Sequence, residues 1–372
     1  MTGAAGPRPE EQRIERLSGD LARRGVDALL VSTPVNVRYL TGFTGSNGLA
    51  LIAADEQTGA HRFFTDFRYT TQSAEQVAPL LAREIATGNL LQAAARTLAG
   101  SGGTLGFDDA SVTVADHGRL RDALAPGWEL APCAGAVERL RAVKDAQEIE
   151  RMRAAAQLAD EALAGLIEDG LVGRSEREVA IDLELRMRRL GAESASFPSI
   201  VAAGAHGALP HAEPRDEPIP ADVLVTIDWG ALHEGYCSDC TRTYATGEGV
   251  SGQAREIYAL VLEAQRLGVA AVHAGPTGRE VDAVAREAIE RAGQGEHFGH
   301  GLGHGVGMEI HEGPRLSRTE GERPLQAGNV VTVEPGVYLP GLLGVRIEDL
   351  LVVREDAQEV LNGLDKALTV IS

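Results

Sequence analysis

Two pairs of acidic residues stand at the ends of apolar runs, spaced so that each run can fold its pair together. Asp228 closes Val223-Leu224-Val225-Thr226-Ile227, a run that reads as a buried strand. A second run, Tyr236 to Tyr244, carries Asp239 and follows the turn-like Leu232-His233-Glu234-Gly235. A hairpin centred between His233 and Glu234 sets Asp228 directly opposite Asp239. Glu334 closes Val330-Val331-Thr332-Val333, and Glu348 sits in Val345-Arg346-Ile347-Glu348. A hairpin centred on Gly341 opposes those two glutamates. Directly paired residues have Cβ atoms about 4.5–5.5 Å apart, and like charges there are destabilising. A chain that does this twice is expected to hold cations between the pairs.

The rest of the chain narrows the class. At 372 residues it suits about two domains, and 44% hydrophobic content supports a globular protein with an aliphatic core, since aromatics make up only 4%. The net charge of −19 and the absence of a basic run argue against a nucleic-acid partner. The N-terminus, Met1-Thr2-Gly3-Ala4-Ala5-Gly6-Pro7, lacks a cationic segment followed by an apolar core, so no signal peptide is expected. No apolar stretch approaches the roughly 18–20 residues of a membrane span, and a cytoplasmic location is the default. Three cysteines do not suggest a disulfide framework. Cys237-Ser238-Asp239-Cys240 has redox-motif spacing, but it lies in a strand-like run, so both cysteines read as strand residues flanking Asp239.

Helical spacing at Ile14 and Leu17 to Leu21 leads into strand signals at Asp27 to Ser32, Leu49 to Ile52, Arg62 to Thr65 and Thr104 to Phe107. That is an α/β pattern. A long amphipathic helix begins near Asp145, with Ile149, Met152, Ala156, Ala159, Leu163 and Ile167 on one face. A second has a capping box, Ser175 with Glu178, and stops at Gly191. A third runs from about Ala254 to Val272, and a fourth opens with Thr277 and Glu280. With the acid-bearing hairpins between and after them, these helices imply an α+β domain on a largely antiparallel sheet. The boundary lies near 135–145, giving domains 1–138 and 139–372.

One more segment belongs with the acids: His297-Phe298-Gly299-His300-Gly301-Leu302-Gly303-His304-Gly305-Val306-Gly307, followed by Glu309-Ile310-His311-Glu312. Its glycines allow close backbone approach, yet no frame fits a dinucleotide fingerprint or a phosphate loop. If the segment is extended, His300 and His304 face the same way. Singly, each acid or histidine reads as a solvated or capping residue. Two opposed acidic pairs with a glycine-flanked histidine point instead to divalent ions such as Mn²⁺, Co²⁺, Fe²⁺ or Zn²⁺. Two such ions balance four carboxylates, and together they activate water and polarise a carbonyl.

The motifs Ile227-Asp228-Trp229-Gly230, Ser238-Asp239-Cys240-Thr241-Arg242, Gly303-His304-Gly305-Val306-Gly307, Val333-Glu334-Pro335-Gly336 and Val345-Arg346-Ile347-Glu348-Asp349 closely resemble those of the pita-bread metallopeptidases. That group comprises methionine aminopeptidase, Xaa-Pro aminopeptidase and Xaa-Pro dipeptidase (prolidase). Phe64-Thr65-Asp66-Phe67-Arg68-Tyr69 and Leu140-Arg141-Ala142-Val143-Lys144-Asp145 resemble the N-terminal domain and the junction of its proline-specific members. The resemblance implies a C-terminal pita-bread fold behind a smaller creatinase-like α/β domain. It implies two divalent ions, Mn²⁺ ahead of Co²⁺, Zn²⁺ or Fe²⁺. Asp228 would bind one ion, His304 and Glu334 the other, with Asp239 and Glu348 bridging both. His211 in Leu209-Pro210-His211-Ala212-Glu213-Pro214 looks like the histidine that assists proton transfer at the scissile bond, and His311 like the one that stabilises the tetrahedral intermediate. Glu334 or a neighbour would carry the proton. His300 looks like a proline-pocket or gating histidine of the Xaa-Pro enzymes. Arg346 matches an arginine that either forms an ion pair beside the site or meets a substrate carboxylate.

The expected activity is hydrolysis of the Xaa-Pro bond at peptide N-termini, an Xaa-Pro aminopeptidase, with Xaa-Pro dipeptidase as the alternative. An Xaa-Pro amide has no N–H and a fixed φ, which suits a metal-centred pocket better than strand-like substrate binding. A homodimer acting on proline-containing peptides follows from the resemblance. A metal-free enzyme of the creatinase type and a binding module that has lost its ligands are disfavoured, because all five ligand positions are filled.

Overall fold

The computed structural model describes residues 8–55, 57–98 and 102–371. The chain divides into two compact units, Met1–Arg141 and Ala142–Ser372. The break lies inside the 135–145 window read from the sequence, after Arg141 and not after residue 138. Helix Glu138–Arg141 groups with the first unit, where Asn36 Nδ2 donates to Glu138 Oε1 at 2.6 Å and Arg141 Nη1 donates to Asn36 Oδ1 at 2.8 Å.

The first unit is built on six strands: β1 (Ala28–Val31), β2 (Gly48–Ala53), β3 (Arg62–Thr65), β4 (Ala82–Ile85), β5 (Gly103–Phe107) and β6 (Trp128–Pro132), in the order β4-β3-β2-β1-β5-β6. The sheet is mixed: β1 runs antiparallel to β2 and parallel to β5. Its inner strands are the apolar runs legible in the sequence. The edge strands β4 and β6 went unread because neither carries a buried residue. Leu30, Leu51, Phe64 and Leu105 from the sheet pack with Leu90, Ala94 and Leu120 from two helices.

The second unit carries four long helices, Ala146–Glu168, Glu176–Leu190, Gly252–Ala271 and Gly278–Arg291. The capping boxes at Ser175 and Thr277 form as the sequence implies, and Asp145 makes a further one with Glu148. Gly191 ends the second helix at φ 115°. The strands are β7 (Ser194–Ala195), β8 (Ile200–Ala203), β9 (Leu224–Trp229), β10 (Ala231–His233), β11 (Tyr236–Cys237), β12 (Cys240–Ala245), β13 (Gly303–Gly305), β14 (Glu312–Leu316), β15 (Val330–Val333), β16 (Gly336–Leu339), β17 (Leu343–Arg346), β18 (Asp349–Val353) and β19 (Gln358–Val360). They form the sheets β11-β10-β7, β12-β9-β8, β14-β13-β15-β18-β19 and β16-β17. Every pairing among them is antiparallel.

Each acid-bearing hairpin has its own helix pair. Leu163 and Leu166 with Val179, Leu183 and Met187 cover Val225, Ile227 and Trp229. Val261 and Ala264 with Val281, Ala285 and Ile289 cover Val331, Val333, Val345 and Leu351. Burying aliphatic side chains at about 25 cal/mol per Å² is what holds helices to sheet here. Among the described residues, no helix is long and apolar enough to cross a membrane.

The second hairpin has the register expected from Gly341. Val333 pairs with Asp349 and Gly336 with Arg346, which brackets Glu334 and Glu348 as opposite residues. The first is corrected. The turn is Glu234-Gly235, both residues at positive φ (48° and 81°), so His233 pairs with Tyr236 and Asp228 with Thr241, not with Asp239. A two-residue hairpin turn of this type needs positive φ at both centres, and Gly235 supplies one of them without strain. The correction moves pairing by two residues, so Asp239 stays on the same face as Asp228, where a one-residue slip would have reversed it.

Candidate active site

Strand periodicity delivers the acids, and interruptions in the strands free them. Asp228 lies near the end of β9, and Asp239 falls in the break between β11 and β12. There Gly230 lets the two chains crowd together: a Cβ on it would lie 2.0 Å from the Ser238 carbonyl oxygen. Glu334 and Glu348 sit in the gap between the two ladders of the second hairpin. Their amides turn elsewhere, Glu334 N donating to Leu302 O and Glu348 N to Thr241 O. His304 is the middle residue of β13, whose close approach to β15 depends on Gly303, where a Cβ would lie 2.0 Å from Thr332 O.

All five residues meet in one place. Asp228, Asp239 and Glu348 each offer an oxygen within 4.8 Å of the others. His304 Nε2 lies 3.6 Å from Asp239 Oδ2 and 3.4 Å from Glu334 Oε1. Burial, reinforced by the neighbouring carboxylates, pushes Asp239 and Glu348 well above the usual carboxylate range. Burial also raises Glu334. Burial lowers His304, keeping it neutral. Its Nδ1 lies 3.0 Å from the Gly305 carbonyl, which places the proton there and leaves an Nε2 lone pair directed at two carboxylates.

That arrangement is unfavourable without a cation. Two buried oxygens, Asp228 Oδ1 and Glu348 Oε1, have no hydrogen-bond partner, and orphaned buried carboxylate oxygens are expensive. Oxygen-rich donors with one imidazole fit hard-to-borderline divalent ions. The residues present therefore fit the ions that the sequence implies.

Two threonines aim the acids. Thr241 Oγ1 donates to Glu348 Oε2 at 2.6 Å, and Thr332 Oγ1 donates to Glu334 Oε1 at 3.1 Å while accepting the His304 amide at 3.0 Å. Sequence reading missed both. The signal was present, since Asp239/Thr241 and Thr332/Glu334 are i,i+2 pairs and share a strand face.

Arg346 is buried, and its donors are taken up by the protein. Nη2 donates to Asp228 Oδ2 at 2.7 Å, Nε to Thr241 Oγ1 at 3.1 Å, and Nη1 to Tyr338 Oη at 2.9 Å and Pro210 O at 3.2 Å. Of the two alternatives for this residue, the geometry is that of the ion pair beside the site. Tyr338, also missed, lies 2.9 Å from His300 Nε2, whose Nδ1 is 2.7 Å from Gly301 O. With the imidazole proton on Nδ1, Nε2 accepts the tyrosine hydroxyl.

A cavity of about 730 Å³ opens on this cluster and is lined by His211, His300, His304, His311, Arg315 and the acids. The His311 ring packs against His304 with centroids 4.4 Å apart. Burial lowers the His311 pKa, and the Arg315 guanidinium acts in the same direction. Arg315, opposite His304 in the β13–β14 ladder, was not singled out from sequence. Among the described residues it makes no ion pair or side-chain hydrogen bond.

A cluster of four carboxylates and one histidine on paired hairpins, following a separate α/β unit in the chain, has the make-up of a two-domain metallopeptidase. Residues 150–355 match the profile of metallopeptidase family M24, and residues 13–143 match the creatinase/prolidase N-terminal domain. The chain belongs to metallopeptidase family M24. It is 36% identical over 360 residues to the Xaa-Pro dipeptidase of Pyrococcus furiosus, covering 96% of this chain and 99% of that one. The structure of an Xaa-Pro dipeptidase from Bacillus anthracis superposes with a TM-score of 0.92 at 40% identity, covering 97% and 99% of the two chains. An X-Pro aminopeptidase from Thermotoga maritima superposes with a TM-score of 0.86 at 35% identity, covering 96% and 100%.

Proposed function

We propose that this metallopeptidase is an Xaa-Pro dipeptidase, the alternative of the two readings from sequence, with two divalent cations, Mn²⁺ foremost, held by Asp228, Asp239, His304, Glu334 and Glu348. The observation that carries the choice is Arg315, an exposed guanidinium on the cavity wall without an acidic partner among the described residues. A dipeptide places its carboxylate one residue beyond the scissile bond, where an unspent arginine can take it in a charge-assisted pair. A longer peptide has a neutral amide there. The dipeptidases among the relatives support the same reading.

When bound, the cations supply a water of lowered pKa and polarise the carbonyl before proline. The chain's own residues do the rest. Glu334 accepts a proton from the attacking water and delivers it to the prolyl nitrogen. His311 donates to the oxygen that develops negative charge, and His211 assists the proton on the leaving side. His300, fixed by Tyr338, faces the prolyl ring from the cavity wall. Arg346 holds Asp228 and the Pro210 carbonyl, tying the acid cluster to the segment that presents His211.

The test compares Ala-Pro with Ala-Pro-Ala on the manganese-loaded protein. Ala-Pro is expected to be the better substrate, and Arg315→Gln is expected to raise its KM about tenfold, the effect of one lost charge-assisted bond on an exposed wall. Preference for Ala-Pro-Ala, with Arg315→Gln indifferent, returns the protein to the aminopeptidase reading.

A further inference from the structure

We propose that Asp282 and Arg286 form a positioning clamp for His300, standing in for the strand partner that segment 298–302 lacks. The proposal rests on the reading above in which His300 faces the substrate.

Helix Gly278–Arg291 places Asp282 and Arg286 one turn apart on its buried face. Arg286 Nε donates to Asp282 Oδ2 at 2.7 Å, and Nη2 to Oδ1 at 2.8 Å. The remaining hydrogen-bonding capacity goes to the backbone of the histidine segment. Arg286 Nη1 donates to Phe298 O at 2.9 Å and Nη2 to His300 O at 2.7 Å. Asp282 Oδ1 accepts from Leu302 N at 2.9 Å. Residues 298, 300 and 302 are thus pinned in alternation, the pattern in which a neighbouring strand would pin them.

The clamp takes over where the sheet runs out. Gly303 pairs with Leu316, the last residue of β14; among the described residues no strand pairs with 298–302, although the Leu302 carbonyl accepts from Glu334 N. Alternation continuing from His300 to His304 keeps both rings on one face. Gly299 and Gly301 would otherwise leave this backbone free to sample many conformations. Arg286 also lies over the Phe298 ring, 4.1 Å from its centroid, and Phe298 meets the His300 ring edge-on at 5.1 Å. The guanidinium therefore restrains His300 through its own carbonyl and through the ring beside it.

A buried ion pair is a poor source of stability compared with apolar residues of similar volume. Apolar residues cannot, however, satisfy two carbonyls and an N–H at fixed spacing, whereas a guanidinium–carboxylate fork can. The chemistry of this pair fits positioning better than packing.

The test uses the full-length, manganese-loaded protein with Arg286→Lys and with the double variant Asp282→Leu/Arg286→Leu, each with and without His300→Ala. Hydrogen exchange of peptides covering 298–303 is measured alongside kcat and KM for Ala-Pro. Expected are faster exchange confined to 298–303 and a fall in kcat/KM of at least about tenfold, in keeping with the effect of sub-ångström misplacement of a substrate-facing group. In the His300→Ala background the same changes should bring no further loss. Unchanged exchange in 298–303, or a loss that adds in full to that of His300→Ala, overturns the proposal. If the double variant does not fold, Arg286→Lys alone decides by both readouts, because an ammonium cannot serve the carboxylate and both carbonyls together. The exchange readout needs no substrate, so inactivity of the unmodified protein on Ala-Pro would count against the dipeptidase reading alone.

Discussion

Thr241 links the two halves of the acid cluster. Its hydroxyl donates to Glu348 and accepts from Arg346, which in turn holds Asp228. Removing it frees a second buried oxygen on Glu348, whose other oxygen already lacks a partner. Thr241→Val is therefore expected to weaken metal binding about 10–100-fold, the usual effect of losing an orienting partner behind a ligand. Competition with a chelator measures this directly, and wild-type affinity would refute it. At this scale the five residues that cluster were legible because their chemistry is unusual for strand ends. The residues that orient them were not, because threonine in a strand has ample reason to be there without a site. Arg346 shows the same limit: sequence offered two partners for it, and only the fold supplies the four groups that engage all three of its nitrogens.

At the level of elements, one turn decides how the first hairpin presents its acids. Glu234 and Gly235 both adopt positive φ, a conformation that glycine takes freely and glutamate does not. Gly235→Ala should destabilise the protein by about 1–2 kcal/mol. Glu234→Asn should stabilise it by a few tenths of a kcal/mol, since Asn-Gly is the preferred pair for this turn. Urea unfolding of both variants tests the opposite signs. The centre of the turn was misread by one residue because the local sequence offers a turn signal without specifying its type. The helices were read well because their caps are short-range motifs.

The helix that starts at Glu176 illustrates what caps do not reveal. The Glu176 carboxylate is buried and accepts from Ala203 N at 2.8 Å, Arg215 N at 3.0 Å and His206 Nδ1 at 2.8 Å, anchoring both ends of the segment that carries His211. Burial alone would raise its pKa, but the Arg215 guanidinium, with the two amides and His206, outweighs burial and the pKa is lowered. A lowered carboxylate contributes stability that is present above its unfolded pKa and is lost as pH falls through its folded value. Glu176→Gln should cost on the order of 2 kcal/mol near neutral pH and much less in acid, where the wild-type carboxylate loses its advantage. Denaturant titrations at two pH values test this, and an equal loss at both would count against it.

For the whole molecule, the concentration of raised carboxylates makes folding and metal binding one problem. Asp239, Glu348 and Glu334 all have pKa values raised in the metal-free fold. A raised carboxylate binds its proton more tightly folded than unfolded, so the metal-free protein loses stability as pH climbs from the ordinary carboxylate range through these raised values. Divalent ions need the deprotonated forms and release those protons on binding. Both effects act in one direction. The difference in thermal midpoint between the Mn²⁺-loaded and chelator-treated protein should therefore widen steadily from roughly pH 5 to pH 8. A constant difference across that range would show that the acids do not carry the metal.

The sequence by itself determined the acidic and histidine residues that cluster, the apolar strands that lead to them, the capped helices that back those strands, and the α/β unit ahead of them in the chain. These depend on short-range rules: strand alternation, helix periodicity, cap chemistry and the repulsion of like charges brought together by a hairpin. Tertiary structure alone decided the rest. Arg346 meets Asp228 across 118 residues, and Thr241 meets Glu348 across 107. Asp282 and Arg286, an ordinary i,i+4 pair in sequence, acquire their place only when the 298–302 backbone is laid against them. Such contacts follow from which buried polar groups the fold leaves needing a partner, a requirement that no local segment can state.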